Sequence, residues 1–359
     1  MKRVPVIVYG AGGVGSALLA QIVESRVRVA ERNGCQFDVV AVTDSRSWVW
    51  NAEGLSNGQL RDIVVAKKNG RSLTPTPHER PSDLDILNHM AESVVTDGIV
   101  VDVTAVNGME PVLDRALELG YGVALANKKA FAGPWVTARR YFNHPRVRHE
   151  STVGGGQPVI ATLRYLLDVN DPIYEIEGQM SGTLGFICGC LDKGIPFSQA
   201  VAEAKAKGFT EPDPREDLGG QDVMRKVLIL ARMAGWSFEA DEIRVESLYP
   251  AELAGLSVGE FLTAVSVLDQ PMAARAAAAA AEGKVLRYTA RVEEGRGVVG
   301  LQAIPAGSAL ANMKYISFRT ERYNDEPLLI GGKGAGVEMT AAGVLGDMID
   351  LVREAGAGG

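Results

Sequence analysis

A chain of 359 residues exceeds what one compact core usually fills, so two or three intertwined domains are expected. Hydrophobic residues make up 46% and charged residues 23%, the balance of a soluble globular protein, and a net charge of -7 argues against a nucleic-acid or anionic-membrane partner. Three cysteines (Cys35, Cys188, Cys190) are too few and too irregularly spaced for a disulfide framework or a zinc site. The first eight residues run straight into a strand-like segment with no apolar signal core, and Gly or charge interrupts every later apolar run. Cytoplasmic residence is the expectation.

In chain order, residues 4–9 form a β-branched run followed by Gly10-Ala11-Gly12-Gly13-Val14-Gly15 and an amphipathic stretch over 16–33. That is strand, glycine turn, helix. A second strand over 37–43 ends in Asp44-Ser45-Arg46. The polar stretch 48–71 is expected to be a surface excursion. Residues 99–104 and 122–127 read as further buried strands, with a helix over 109–119 between them. The alternation predicts an α/β fold, a Rossmann-type doubly wound parallel sheet. After Gly154-Gly155-Gly156 and Pro158, helices are expected to dominate to residue 235. The stretch 284–330 turns β-rich, and an amphipathic helix over 340–353 closes the chain. The alanine-rich run 273–281 reads as a helix favoured by propensity, with no function assigned.

The first turn has a physical purpose. One glycine permits the tight turn, a second lets backbone approach a pyrophosphate, and a third lets helix and strand pack closely; Gly10, Gly12 and Gly15 meet these needs. The helix N-terminus then offers its free N–H groups to the anion. Asp44, at the end of the second strand, is placed for a ribose 2′-hydroxyl, whereas Arg46 would meet a 2′-phosphate. NAD and NADP both stay open on these residues.

Several hydride-transfer chemistries are disfavoured. No Tyr-x-x-x-Lys occurs, and the Cys and His placement does not suit a catalytic zinc. The four histidines (His78, His89, His144, His149) lie in polar segments and are expected to be solvated. Cys188 and Cys190 flank Gly189 in an apolar helical stretch, where inert packing is expected. Lysine and carboxylate chemistry remains. Asp222, Lys226, Ile229 and Met233 fall on one helical line, continued by Val223, Val227, Leu230 and Ala234, with Arg225 and Arg232 placed opposite, towards solvent. A charged pair on an apolar face needs a partner or a purpose, and a desolvated lysine suits acid–base work. Just upstream, the acidic, proline-stiffened loop 208–217 is read as a clamp for an ammonium group.

These residues resemble a known family. Gly-Phe-Thr-Glu-Pro-Asp-Pro (208–214), Asp-Leu-Gly-Gly-Gln-Asp-Val-Met-Arg-Lys (217–226), Ala-Asn-Lys-Lys (126–129), the segments 150–158 and 181–187, and Gly334-Ala335-Gly336 with Thr340, Ala341 and Asp347 are similar to homoserine dehydrogenases, in family order. The resemblance implies reversible, NAD- or NADP-dependent reduction of aspartate 4-semialdehyde to homoserine, on the route to threonine, methionine and isoleucine. It implies Lys226 as proton donor, Asp222 as orienting group, Glu211 on the substrate amino group, and Lys128 between nicotinamide and substrate. Thr104, Gly208 and Gly336, with the turn residues Ala11, Gly13 and Val14, would touch the cofactor. Glu150, with carbonyls of Val153, Gly155 and Gln157, would hold a monovalent cation, sodium in this family.

The resemblance also implies a homodimer and a division of the chain. Residues 1–149 and 335–359 would bind the dinucleotide, 150–160 and 284–334 would dimerise, and 161–283 would bind substrate. Neither a C-terminal regulatory domain nor a preceding aspartokinase module is expected, nor threonine feedback through such a domain. Two other readings are weighed: a dehydrogenase of a related amino-acid semialdehyde, and a non-catalytic NAD(P)-sensing protein. The latter has no use for Asp222 and Lys226 on an apolar face.

Overall fold

The computed structural model describes residues 1–74, 80–93 and 96–357, so His78 lies outside the described residues. The chain divides into two compact units, Met1–Ala161 with Gly334–Gly359, and Thr162–Lys333. Among the described residues no helix is long and apolar enough to cross a membrane.

The first unit begins with β1 (Lys2–Tyr9), α1 (Gly13–Asn33) and β2 (Cys35–Thr43), then β3 (Trp48–Trp50), α2 (Asn57–Lys68) and α3 (Asp83–Ser93). It continues through β4 (Ile99–Asp102), α4 (Glu110–Glu118), β5 (Gly122–Leu125), the short α5 (Lys129–Ala132) and α6 (Trp135–Ala138), and β6 (Val147–Arg148). The chain returns to it for the closing helix α14 (Val337–Ala357). The sheet order is β3-β2-β1-β4-β5-β6, with β1, β2, β4, β5 and β6 parallel. Val6, Val8, Val39, Val42 and Val101 are fully buried, as continuous apolar strands covered on both faces must be. The doubly wound expectation for this unit holds.

The stretch 48–71 is not a surface excursion. Trp48–Trp50 extends the sheet as an antiparallel edge strand against Ala41–Thr43. Ser56 and Gln59 then form a reciprocal capping box that starts α2, and that helix buries Leu60 and Ile63. Two apolar positions three apart suffice to dock a helix whose other faces are solvated, so its average polarity conceals it.

The second unit takes over partway along α7 (Val159–Asp168), followed by β7 (Ile173–Gly178), α8 (Gly182–Leu191), α9 (Phe197–Ala206), α10 (Arg215–Leu218) and α11 (Gln221–Met233). Next come β8 (Ile243–Val245), α12 (Val258–Ala264), α13 (Asp269–Ala281), β9 (Lys284–Glu293), β10 (Arg296–Pro305), β11 (Tyr315–Thr320) and β12 (Leu328–Gly331). Its sheet order is β12-β11-β7-β9-β10-β8, antiparallel except where β8 meets β10. Helices α8, α11 and α13 pack on β9, whose Leu286, Tyr288, Ala290 and Val292 are buried. β7 interrupts the region expected to be helical. It lies between β9 and β11, so the segments 161–283 and 284–334 share one sheet.

Candidate active site

In the first unit, β1 delivers the chain into the glycine turn and α1 leaves it. Gly10 adopts φ +103°, and a Cβ on Gly15 would fall 1.8 Å from the Gly10 carbonyl oxygen, so only glycine at 15 allows the helix to start this close to the strand. A Cβ on Gly12, by contrast, would meet nothing within 4 Å, leaving the open space a phosphate requires. No side chain caps α1 and its first turn holds no acid, which leaves the helix end suited to an anion. Val337, beside Gly336, reaches to 3.3 Å of a Cβ placed on Gly13, so Gly13 and Gly336 sit together at this turn. These residues fit a dinucleotide. Gly208 belongs to the second unit, at the end of α9, with φ +69°.

Asp44 is not an open acceptor for ribose. Its Oδ1 accepts from the backbone of Arg46 and Ser47 and from the Ser47 hydroxyl, while Oδ2 pairs with Lys67 Nζ at 2.7 Å. Burial alone would raise its carboxyl pKa, but the Lys67 ammonium and the three donors bring it below the usual carboxylate range. Arg46 is exposed beside it.

At the carboxyl ends of β4 and β5 lies a network that sequence reading missed. Asp102 is fully buried; its Oδ1 accepts from Thr104 N and Oγ1, and its Oδ2 accepts from Asn127 Nδ2 at 3.0 Å. Asn127 Nδ2 also lies 3.1 Å from Thr104 Oγ1 and 3.0 Å from the Val106 carbonyl, and its Oδ1 accepts from Lys129 N. Burial pushes the Asp102 carboxyl up, while the Thr104 and Asn127 donors pull it back. The network joins the loop carrying Thr104 to the segment carrying Lys128. In the sequence Asp102 is only one polar residue within an apolar strand.

In the second unit, Lys226 Nζ pairs with Asp222 Oδ2 at 2.7 Å and donates to the Met180 carbonyl at 2.8 Å. Lys226 is 18% exposed and Asp222 47%, so the lysine lies inward while its aspartate remains half in solvent. The expectation that both point into the interior is corrected for Asp222: one turn earlier, it sits at the open start of α11. Arg232 corrects the helical wheel more sharply. It is 1% exposed rather than solvent-facing. Its Nε donates to the Phe238 carbonyl and its guanidinium pairs with Glu239 at 3.2 Å, contacts made by the chain folding back after the helix.

Glu211 lies in the loop between α9 and α10, where its amide donates to Asp217 Oδ2 at 2.8 Å. Asp217 also bonds the Thr183 side chain, and Thr183 Oγ1 donates to the Phe209 carbonyl at 2.5 Å. Burial raises the Asp217 carboxyl, the Glu211 amide and Thr183 lower it, and it feels both Asp222 and Lys226. Glu211, Asp217, Thr183, Asp222, Lys226 and Met180 thus form one polar cluster within this unit. Asp217, Thr183 and the Met180 carbonyl were not singled out from sequence. The available signals were that Asp217 closes the acidic loop and opens the motif 217–226, and that Thr183 lies in the segment 181–187.

The loop 150–157 brings Glu150, Val153, Gly155 and Gln157 into one turn of the first unit. Glu150 places its carboxylate oxygens on the amides of Ile160 (2.7 Å) and Ala161 (2.8 Å), and its own amide donates to Asp347. That carboxylate acts as a helix cap, so a cation here fits the backbone carbonyls rather than an open Glu150. Gly154 and Gly155 have positive φ, and a Cβ on Gly343 of α14 would lie 2.8 Å from the Gly155 oxygen.

His149 is 2% exposed rather than solvated: its ring lies 4.2 Å from that of Phe131, and Nδ1 is 3.1 Å from Thr152 Oγ1. The surrounding Arg and Glu residues in sequence disguised a core position. His144 is half-buried, its pKa lowered by burial, and His89 is exposed, edge-on to Trp50. All three cysteines are buried, and burial pushes the Cys188 thiol to about 12, which removes it as a nucleophile.

A glycine turn opening a doubly wound sheet in one unit, and a lysine–carboxylate cluster in the other, are features found in the class of dinucleotide-dependent oxidoreductases. Residues 158–349 match the homoserine dehydrogenase family, and residues 10–144 match the homoserine dehydrogenase NAD binding domain. A homoserine dehydrogenase of Paracoccidioides brasiliensis is 44% identical over 275 residues, 71% of this chain and 74% of that protein. The bifunctional aspartokinase/homoserine dehydrogenase of Haemophilus influenzae is 36% identical across 97% of this chain; the chain spans 43% of that protein's length. A Candida auris protein of unknown function superposes with TM-score 0.85 at 31% identity, covering 98% of this chain and 99% of its own. In fold, a hyperthermophilic archaeal homoserine dehydrogenase solved with NADPH is also similar, with TM-score 0.72 at 23% identity, over 98% of each chain. The chain belongs to the homoserine dehydrogenase family, and its residues 10–144 match that family's NAD binding domain.

Proposed function

We propose that the chain interconverts L-aspartate 4-semialdehyde and L-homoserine. The observation that carries this reading is Lys226, held between Asp222 and the Met180 carbonyl, in one cluster with Glu211 and Asp217. Bound NAD(P)H supplies the hydride. Lys226 gives a proton to the oxygen on which negative charge develops, and takes it back in the alcohol-to-aldehyde direction. Asp222 fixes the direction of the lysine stem and restores its charge balance. Glu211, on a backbone anchored to Asp217, meets the substrate ammonium, and Lys128, on the segment fixed by Asn127, works beside the nicotinamide. Homoserine bearing deuterium at C4 should transfer one label to the cofactor with each turnover. Product formed without label transfer would exclude direct hydride transfer.

For the cofactor, the reading is NADP before NAD. Lys67 neutralises the acid that would otherwise repel a 2′-phosphate, and Arg46 stands exposed next to it. Lys67→Ala combined with Arg46→Ala should lower kcat/KM for NADP⁺ by roughly tenfold or more and leave NAD⁺ little changed, since each charge-assisted contact to phosphate is strong. An unmoved NADP⁺ to NAD⁺ ratio would refute the assignment.

The reading includes a homodimer through the second sheet and a monovalent cation on the Val153, Gly155 and Gln157 carbonyls. Sedimentation should give twice the 38.2 kDa chain mass, and exchanging sodium for choline should lower Tm. A monomer, or an unmoved Tm, counts against the corresponding part.

A further inference from the structure

Between β7 and α8 the chain runs through Gln179, Met180 and Ser181. Ser181 is extended (φ −119°, ψ 126°) and caps α8 by accepting from Leu184 N. Lys226 Nζ bonds this segment at the Met180 carbonyl. A second lysine reaches it two residues further on: a Cβ placed on Gly182 would lie 2.8 Å from Lys314 Nζ. Lys314 directly precedes β11 on an anchored stretch, for Gln179 Nε2 donates to the Leu310 carbonyl, Gln179 N to that of Tyr315, and Gly332 N to that of Lys314. Two ammonium groups therefore flank a short extended segment spanning about 7 Å.

The two lysines differ in how their charge is met. Lys226 has Asp222 and a carbonyl. Lys314 is exposed, and among the described residues it has no carboxylate, carbonyl or hydroxyl partner. It also stands at the N-terminal end of α8, where the helix dipole is positive and a cation is unfavourable. Three cations around the Glu211 loop already have partners: Lys205 donates to the Pro212 carbonyl, Lys207 pairs with Glu203, and Arg215 pairs with Asp213. An exposed ammonium with no internal partner among the described residues, beside the substrate cluster, is available to an anion from outside the chain.

We infer that Lys314 binds the α-carboxylate of the substrate, making it the residue that selects an amino acid over a simple amino alcohol. The inference rests on the homoserine reading above. That substrate carries a carboxylate roughly 5 Å from its C4 oxygen, of the same order as the two-residue step from Met180 to Gly182 that separates the points where Lys226 and Lys314 reach the chain. The division of work is then complete: Lys226 serves the reacting oxygen, Glu211 the ammonium and Lys314 the carboxylate.

The test compares wild type, Lys314→Ala and Lys314→Arg on homoserine and on 3-aminopropan-1-ol, which is homoserine without its carboxylate, with NADP⁺. Lys314→Ala should raise the homoserine KM roughly ten- to a hundredfold, as loss of a charge-assisted contact does, with Tm and the NADP⁺ KM unchanged. Its preference for homoserine over 3-aminopropan-1-ol should shrink by a similar factor, and Lys314→Arg should recover part of it. An unmoved homoserine KM in an otherwise active enzyme overturns the role of Lys314. So does a rise confined to the NADP⁺ KM, which would assign the lysine to a cofactor phosphate. A wild type inactive on homoserine overturns the functional reading itself, and the carboxylate role with it.

Discussion

Replacing Lys226 by alanine should lower kcat for homoserine oxidation by about two to four orders of magnitude, the usual worth of a positioned proton donor. The homoserine KM should move far less. The side chain ends on a carbonyl and on a half-exposed aspartate, so its removal strands no buried charge and the fold should survive. Glu211→Leu should do the reverse, raising the homoserine KM with a smaller loss of kcat, because its role is to hold the ammonium rather than to move a proton. The opposed pattern distinguishes chemistry from binding within one cluster. Lys226→Ala with near wild-type kcat would remove the lysine from the mechanism.

Gly15→Ala should abolish cofactor binding and destabilise the first unit. A methyl group cannot occupy a point 1.8 Å from the Gly10 oxygen, so either the β1–α1 turn opens or α1 shifts along the sheet. Overpacking of this kind costs about 1–3 kcal/mol or more. Gly12→Ala is the matched control. Its Cβ enters open space, so Tm should be nearly unchanged, while affinity for NADPH, read by fluorescence titration, should still fall because the methyl occupies the phosphate's position. Equal Tm for the two variants would contradict the tight-turn account, and undiminished NADPH affinity in Gly12→Ala would move the pyrophosphate elsewhere.

Much of this was legible in the sequence, for physical reasons that vary by residue. The glycine turn was readable because its requirements are local: strand, turn and helix lie within thirty-odd residues. The Asp222–Lys226 pairing was readable because i,i+4 spacing on a helix is fixed geometry. What stayed hidden depends on contacts from afar. Asp44 looked available until Lys67, from a helix disguised as a polar excursion, closed on it. Arg232 looked solvated because a helical wheel cannot anticipate the Phe238 carbonyl returning over it. His149 is packed against Phe131, and no local pattern announces that neighbour. β7 contains only six residues, and its place between β9 and β11 comes from strands more than a hundred residues away. Lys314 meets Gly182 across a similar distance in sequence.

The most direct measurement is steady-state oxidation of L-homoserine by the purified protein, with NADP⁺ and NAD⁺ in parallel and L-serine as the shorter homologue. Rapid turnover of homoserine, faster with NADP⁺ and far above that of serine, is the predicted result. Absence of reduced cofactor from either nucleotide with homoserine would contradict the assignment of Lys226, Asp222 and Glu211 to this reaction.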